Sequence, residues 1–163
     1  MTRVILLPGL ACDAALWRDQ LAALATRGDV HVSDVHARFA TLPEMAQGLL
    51  EDHPGELVLA GTSMGGQAGA GQLIRQNRAV MARADSRPLL PGLRCPTLVV
   101  CGEADLLTPP DCAREMADAI PGAQLRVLPQ CGHLLTWEQP EAVNALLCDW
   151  LARLDSGAAG LHR

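Results

Sequence analysis

Aromatic side chains are scarce in this 163-residue chain: one phenylalanine, three tryptophans and no tyrosine. Any interior must therefore be packed from aliphatic side chains and alanine, and an apolar content of 49% supplies both. No C-x-x-C occurs, which removes the compact thiol pair of redox and zinc motifs. H-E-x-x-H and close carboxylate clusters are missing too, so a metal hydrolase has little support and no metal or other cofactor is expected. The first strand is not followed by G-x-G-x-x-G, and no lysine follows the later glycines, which argues against a phosphate-binding turn. Excess positive charge is also lacking. The formal net charge of -5 argues against a broad cationic track for nucleic acid.

Long apolar runs are absent at the start of the chain. Met1-Thr2-Arg3 leads into Val4-Ile5-Leu6-Leu7 and then Pro8-Gly9, too short for a secretory core or a membrane span. The expectation is a protein without integral membrane association. Six cysteines (Cys12, Cys95, Cys101, Cys112, Cys131 and Cys148) are scattered, and a chain of this length buries about two-thirds of its unfolded surface without staples. Reduced thiols in a cytoplasmic setting are expected. Length predicts one domain over residues 1–154, followed by a flexible tail over 155–163.

Hydrophobic patterning predicts alternating strands and helices. Strands are expected at Val4–Leu7, Val30–Val35, Leu57–Ala60, Thr97–Cys101 and Gln124–Leu128. Helices are expected at Ala14–Arg27, Leu42–Leu50, Asp111–Ile120 and Pro140–Leu154, with another beginning near Ser63 and running to about Ala84. This alternation implies an α/β fold: a mostly parallel sheet of about five strands covered on both faces. Ligands collect beyond the carboxyl ends of such strands, where Leu10, Ser63, Asp105 and His133 all fall.

Ser63 is the centre of Gly61-Thr62-Ser63-Met64-Gly65, directly after an apolar strand and before a predicted helix. A serine on that sharp turn projects its hydroxyl above the sheet, and Gly61 and Gly65 form a structural elbow where strand and helix nearly touch. An ordinary glycine-rich turn is the blander account. His133, in Gln130-Cys131-Gly132-His133-Leu134, can serve as general base, with a polar surface loop as the alternative. His31, His36 and His53 suit surface or packing roles, and His162 belongs to the tail. Asp105, in Gly102-Glu103-Ala104-Asp105, can accept the imidazole N–H and fix its tautomer. Glu103 is its nearest rival, although its position better suits orienting the loop or a salt link. The backbone N–H groups of Leu10 and Met64 are the expected oxyanion donors.

With these pieces in this order, the chain resembles the α/β-hydrolase superfamily, specifically its small esterase and lactonase-like members. The resemblance rests on Leu6-Leu7-Pro8-Gly9-Leu10, the elbow from Gly61 to Gly66, the run from Pro96 to Asp105, and Cys131-Gly132-His133. It implies a minimal three-layer α/β-hydrolase sandwich in which Ser63, Asp105 and His133 form the triad. It further implies hydrolysis of a small-molecule carboxylic ester through an acyl-enzyme. The departure is internal: only a short stretch separates Gly66 from Cys95, where such enzymes carry another strand and a helical cap. Residues 72–93 resemble the last helix of a cap joined directly to the nucleophile helix, and the strand order expected of the shortened sheet is 2-1-3-4-5. A pocket without a lid suits short-chain esters, and its apolar rim could recruit a second copy of the chain. An inactive hydrolase-like binding protein and an acyltransferase are the rival readings.

Overall fold

Consecutive aliphatic side chains along one strand can be hidden only if both faces of that strand are covered. The computed structural model of the chain describes residues 2–9, 12–62, 78–79, 81–82 and 84–157. In it Val4, Ile5 and Leu6 lie on β1 (Thr2–Leu7) and are all buried, Ile5 at 0% exposure. Val4 and Leu6 point to one face and Ile5 to the other, as the two-residue repeat of a strand requires. Burying a side chain such as Ile5 contributes about 1.5–3 kcal/mol. β1 is the centre of a parallel sheet flanked by β2 (Gly28–Val32) and β3 (Val58–Gly61). This sheet belongs to the first of two compact units, Met1–Ala84, and the second is Asp85–Arg163.

In the first unit the predicted helix at Ala14–Arg27 divides. Asp13 accepts the Ala15 N–H at 2.8 Å and opens a 3₁₀ turn, Ala14–Trp17, which passes into α1 (Arg18–Ala25). The strand expected to reach Val35 stops earlier. Ser33 N–H makes a last ladder bond to Leu6 O at 2.9 Å, and the chain then turns into the short α2 (Val35–Arg38). Val35 is apolar because it enters the core from that turn, beside Ile5, Met45 and Leu49. Thr41 and Glu44 form a reciprocal capping box at the start of α3 (Leu42–Asp52).

Among the described residues of 78–92, α-helical backbone has ended by Ala84, and Arg87–Gly92 forms a 3₁₀ helix. A single helix over 72–93 is therefore not formed at its distal end. Pro88 and Pro91 remove two N–H donors from that stretch, which explains the break.

The second unit is a compact α/β layering in its own right. β4 (Leu98–Gly102) and β5 (Gln124–Leu128) pair in parallel, and their ends are level at Gly102 and Leu128. Val99 and Cys101 on one face pack against Ala113 of α4 (Pro110–Ala119). Val100 and Leu128 turn to the other face, where Val143 and Leu147 of α6 (Pro140–Asp155) cover them. A short helix, α5 (Leu135–Glu138), precedes α6. The architecture is of the expected α/β type, with five strands paired in parallel within two sheets, ordered 2-1-3 in the first unit and 4-5 in the second.

Gly102 closes β4 against the loop that follows β5. A Cβ at this position would collide with the main-chain carbonyl oxygens of Gly132 and Cys131, neither of which can swing aside like a side chain. Gly102→Ala is expected to destabilise the protein by about 1–3 kcal/mol, the usual cost of overpacking. A lowered urea midpoint measures this, and an unchanged midpoint would show that the loop can yield.

Candidate active site

The level ends of β4 and β5 send two turns out side by side. Glu103 N–H extends the ladder by bonding Leu128 O at 2.9 Å, and Ala104 N–H crosses to Cys131 O at 2.8 Å. These two bonds, with the missing side chain at Gly102, bring the Asp105 turn against the His133 loop. Asp105 is 5% exposed, so its carboxylate needs protein donors in place of water. Four are present. Oδ1 accepts the backbone N–H groups of Leu107 and Thr108 at 2.9 and 3.0 Å. Oδ2 accepts the Thr108 hydroxyl at 2.9 Å and His133 Nδ1 at 2.8 Å.

Burial opposes ionisation of Asp105. The Thr108 N–H, His133, the Thr108 hydroxyl and the Leu107 N–H outweigh it, holding the carboxyl at about 2 against an ordinary 3.8. Asp105 is thus a carboxylate at neutral pH and can only accept, so Nδ1 carries a proton and Nε2 is the basic nitrogen of the neutral ring. The Thr108 oxygen also lies 3.4 Å from Nδ1, with its own proton committed to Asp105. The His133 side chain is 13% exposed, mostly buried at the same edge as its partner.

The loop from Pro129 to Leu134 is itself tied down. Gln130 adopts φ 55°, a left-handed conformation that costs a non-glycine residue about 1–3 kcal/mol. Its N–H donates to Glu103 Oε2 at 3.2 Å, so the rival acid of the sequence orients this loop and does not face the imidazole. Glu138 accepts Gly132 N–H at 2.6 Å and Leu134 N–H at 2.9 Å, one on each side of His133. Thr108 and Glu138 were not singled out from the sequence. An aspartate three residues before a threonine, followed by proline, is a turn signal that could have pointed to Thr108. Nothing comparable marks Glu138.

Ser63, Met64, Gly65 and Leu10 lie outside the described residues. Next to them, Leu7 of β1 is in register with Gly61 of β3, so both strands end level and the chain leaves them at one edge of this sheet. Thr62 N–H reaches Leu7 O at 3.4 Å, and Cys12 N–H turns back to Gly9 O at 3.0 Å. Among described neighbours, a Cβ on Gly61 would meet only Leu7, at 3.9 Å. Of the other histidines, His31, His36 and His53 take packing or surface positions, and His162 lies outside the described residues. His36 Nε2 bonds Cys12 O at 2.9 Å, and His31 pairs with Asp29 at 2.9 Å beside the ring of His53. The cysteines are free thiols, and burial pushes those of Cys101 and Cys131 up. Among the described residues, no group of three or more His, Cys, Asp or Glu side chains could hold a metal ion. No described helix is long and apolar enough to cross a membrane.

A model of the alpha/beta hydrolase family matches residues 69–146. RutD of Escherichia coli, a proposed carbamate hydrolase, is 38% identical over 86 residues, which are 53% of this chain and 32% of that protein. The chain thus spans about a third of the length of the curated relatives it matches. Solved structures align over nearly all of it. A thermophilic esterase from Thermogutta terrifontis covers 94% of this chain and 90% of its own, with a TM-score of 0.74 and 21% identity. The enol-lactonase from Burkholderia xenovorans LB400 covers 93% and 91%, with a TM-score of 0.76 and 19% identity. An α/β hydrolase enzyme from a lagoon-sediment metagenome reaches 0.79 at 19% identity, covering 94% and 92%. These likenesses show that the chain has the α/β-hydrolase fold.

The depressed acidity of Asp105 has a definite sign. A carboxyl lowered on folding stabilises the native state above its unfolded value, near 3.8, and loses that contribution as pH falls through about 2. The contribution is about 2 kcal/mol. Thr108→Val removes one donor, returns Asp105 towards its ordinary value and should shrink the acid-dependent part of stability. Urea midpoints between pH 6 and pH 2 test this, and identical curves for the two proteins would contradict it.

Proposed function

We propose that this α/β-hydrolase-fold chain is a serine carboxylesterase acting on small or short-chain esters through an acyl-enzyme. The observation that carries the reading is the Asp105–His133 pair. A buried carboxylate bonds Nδ1 at 2.8 Å, which turns Nε2 into the proton acceptor a serine nucleophile requires. The G-x-S-x-G turn following β3 supplies the candidate nucleophile, Ser63.

In this mechanism Nε2 of His133 takes the Ser63 hydroxyl proton as Oγ attacks the ester carbonyl carbon. The negative charge that gathers on the former carbonyl oxygen is met by the backbone N–H groups of Leu10 and Met64. Each such donor is worth about 3–4 kcal/mol in the transition state. Collapse re-forms the carbonyl and breaks the bond to the alcohol oxygen, which leaves with the proton held on Nε2. Water then repeats the cycle: it gives its proton to Nε2, attacks the acyl carbon and releases the acid, and the proton returns to Ser63 Oγ. Throughout, Asp105 stays ionised and stabilises the imidazolium, and no metal or cofactor takes part.

A carbamate presents the same carbonyl to the same groups, and the likeness to RutD supports including one among the substrates tried. The decisive comparison uses a short-chain nitrophenyl ester with the wild type and Ser63→Ala. Activity should fall to background in the variant, and equal rates in both would overturn the reading in favour of a binding protein. Asp105→Asn, which favours the wrong tautomer, should lower kcat by roughly 10³–10⁴-fold with KM little changed. Added alcohol or amine nucleophile separates hydrolysis from acyl transfer by the products formed.

A further inference from the structure

Every second N–H in the loop that carries His133 ends on a carboxylate. Gln130 N–H donates to Glu103, and Gly132 and Leu134 N–H groups donate to the two oxygens of Glu138. We propose that Glu138 is a positioning residue for His133, a bidentate clamp that fixes the peptides on both sides of the imidazole. This rests on the esterase reading given above.

The geometry explains why one side chain can do this. The two oxygens of a carboxylate are held rigidly apart, so accepting Gly132 N–H at 2.6 Å and Leu134 N–H at 2.9 Å fixes two peptide planes relative to each other. His133 lies between them, and its backbone torsions cannot drift without breaking one bond. Gly132 completes the fit. A Cβ there would stand 2.9 Å from both Glu138 oxygens, so only glycine lets the carboxylate come this close to the main chain.

Glu138 is anchored in turn. Its own N–H bonds Leu134 O at 2.9 Å, and the adjoining Gln139 side chain donates to Pro129 O at 2.8 Å, closing the loop at its far end. The demand comes from the chemistry. During turnover Nε2 must exchange a proton with three different oxygens, those of Ser63, the leaving alcohol and water, while Nδ1–H stays on Asp105, and a 1 Å error costs about a hundredfold in rate. Asp105 holds one ring atom, which leaves rotation about that contact open. Glu138 removes that freedom through the backbone.

Glu138→Gln preserves size but places an NH₂ group against one of the two amides, so one bond of the clamp is lost. Glu138→Asp keeps the charge and both oxygens on an arm too short to span both amides. Two readouts are needed: steady-state kinetics on the short-chain ester, and the downfield proton NMR line of His133 Nδ1–H. For both variants kcat should fall roughly 10- to 100-fold with KM within about twofold, and the Nδ1–H line should broaden or vanish through exchange. A purely structural role would lower the melting temperature and leave kcat and the line intact in the folded protein. That result overturns the proposal, as does an Asp variant equal to wild type, which would make charge alone responsible. Should the Gln variant not fold, the Asp variant carries the test. The NMR line reports on the clamp even if Ser63→Ala retains full activity, so failure of the clamp and failure of the esterase reading are distinguishable.

Discussion

A carboxylate taken out of water has to find its hydrogen bonds in the protein, and the second unit is organised around meeting that need at Asp105. Two main-chain N–H groups, one hydroxyl and one imidazole nitrogen converge on its oxygens. Three of the four donors come from the turn that Asp105 itself begins, so the acid is oriented locally before any partner arrives. The fourth, His133, is 28 residues away in sequence and depends on the sheet. Local turn chemistry therefore sets the carboxylate, and strand pairing delivers the imidazole.

Delivery works because β4 and β5 are parallel and end level. Their connection through α4 sends both carboxyl ends to one edge, where the two following turns meet over Gly102. The apolar faces of this small sheet are covered by α4 and α6, which makes its edge a rigid base for the two loops. Precise sites need such support, since polar side chains on loops hold their geometry only as well as the elements beneath them. The left-handed Gln130 fits the same pattern. Local strain is tolerated where surrounding hydrogen bonds over-determine the conformation.

Much of the layout was legible from the chain alone. Gln124–Leu128 forms a strand over the predicted residues, and Pro140 opens the terminal helix as expected. Buried strands and amphipathic helices are marked by side-chain periodicity, a property of neighbouring residues. Val35 misled the reading for a physical reason: an apolar residue after an alternating strand reads as more strand, although a turn can bury it equally well. The proline-broken stretch at Arg87–Gly92 was misjudged in the same way, with a remnant helix expected where 3₁₀ backbone forms.

For the candidate site, residue types and order along the chain marked Asp105 and His133 as chemically suited to one another, and left Glu103 as the nearest rival, better suited to orienting the loop or to a salt link. Sequence determined that much, because strand ends and turn signals are local. Tertiary structure decided which oxygen meets which nitrogen, that Thr108 shares the Asp105 carboxylate, and that Glu138 grips the main chain around His133. Those facts arise from backbone amides, which every residue carries alike. Only their placement in space, fixed by the pairing of β4 with β5 and the absence of a side chain at Gly102, distinguishes them.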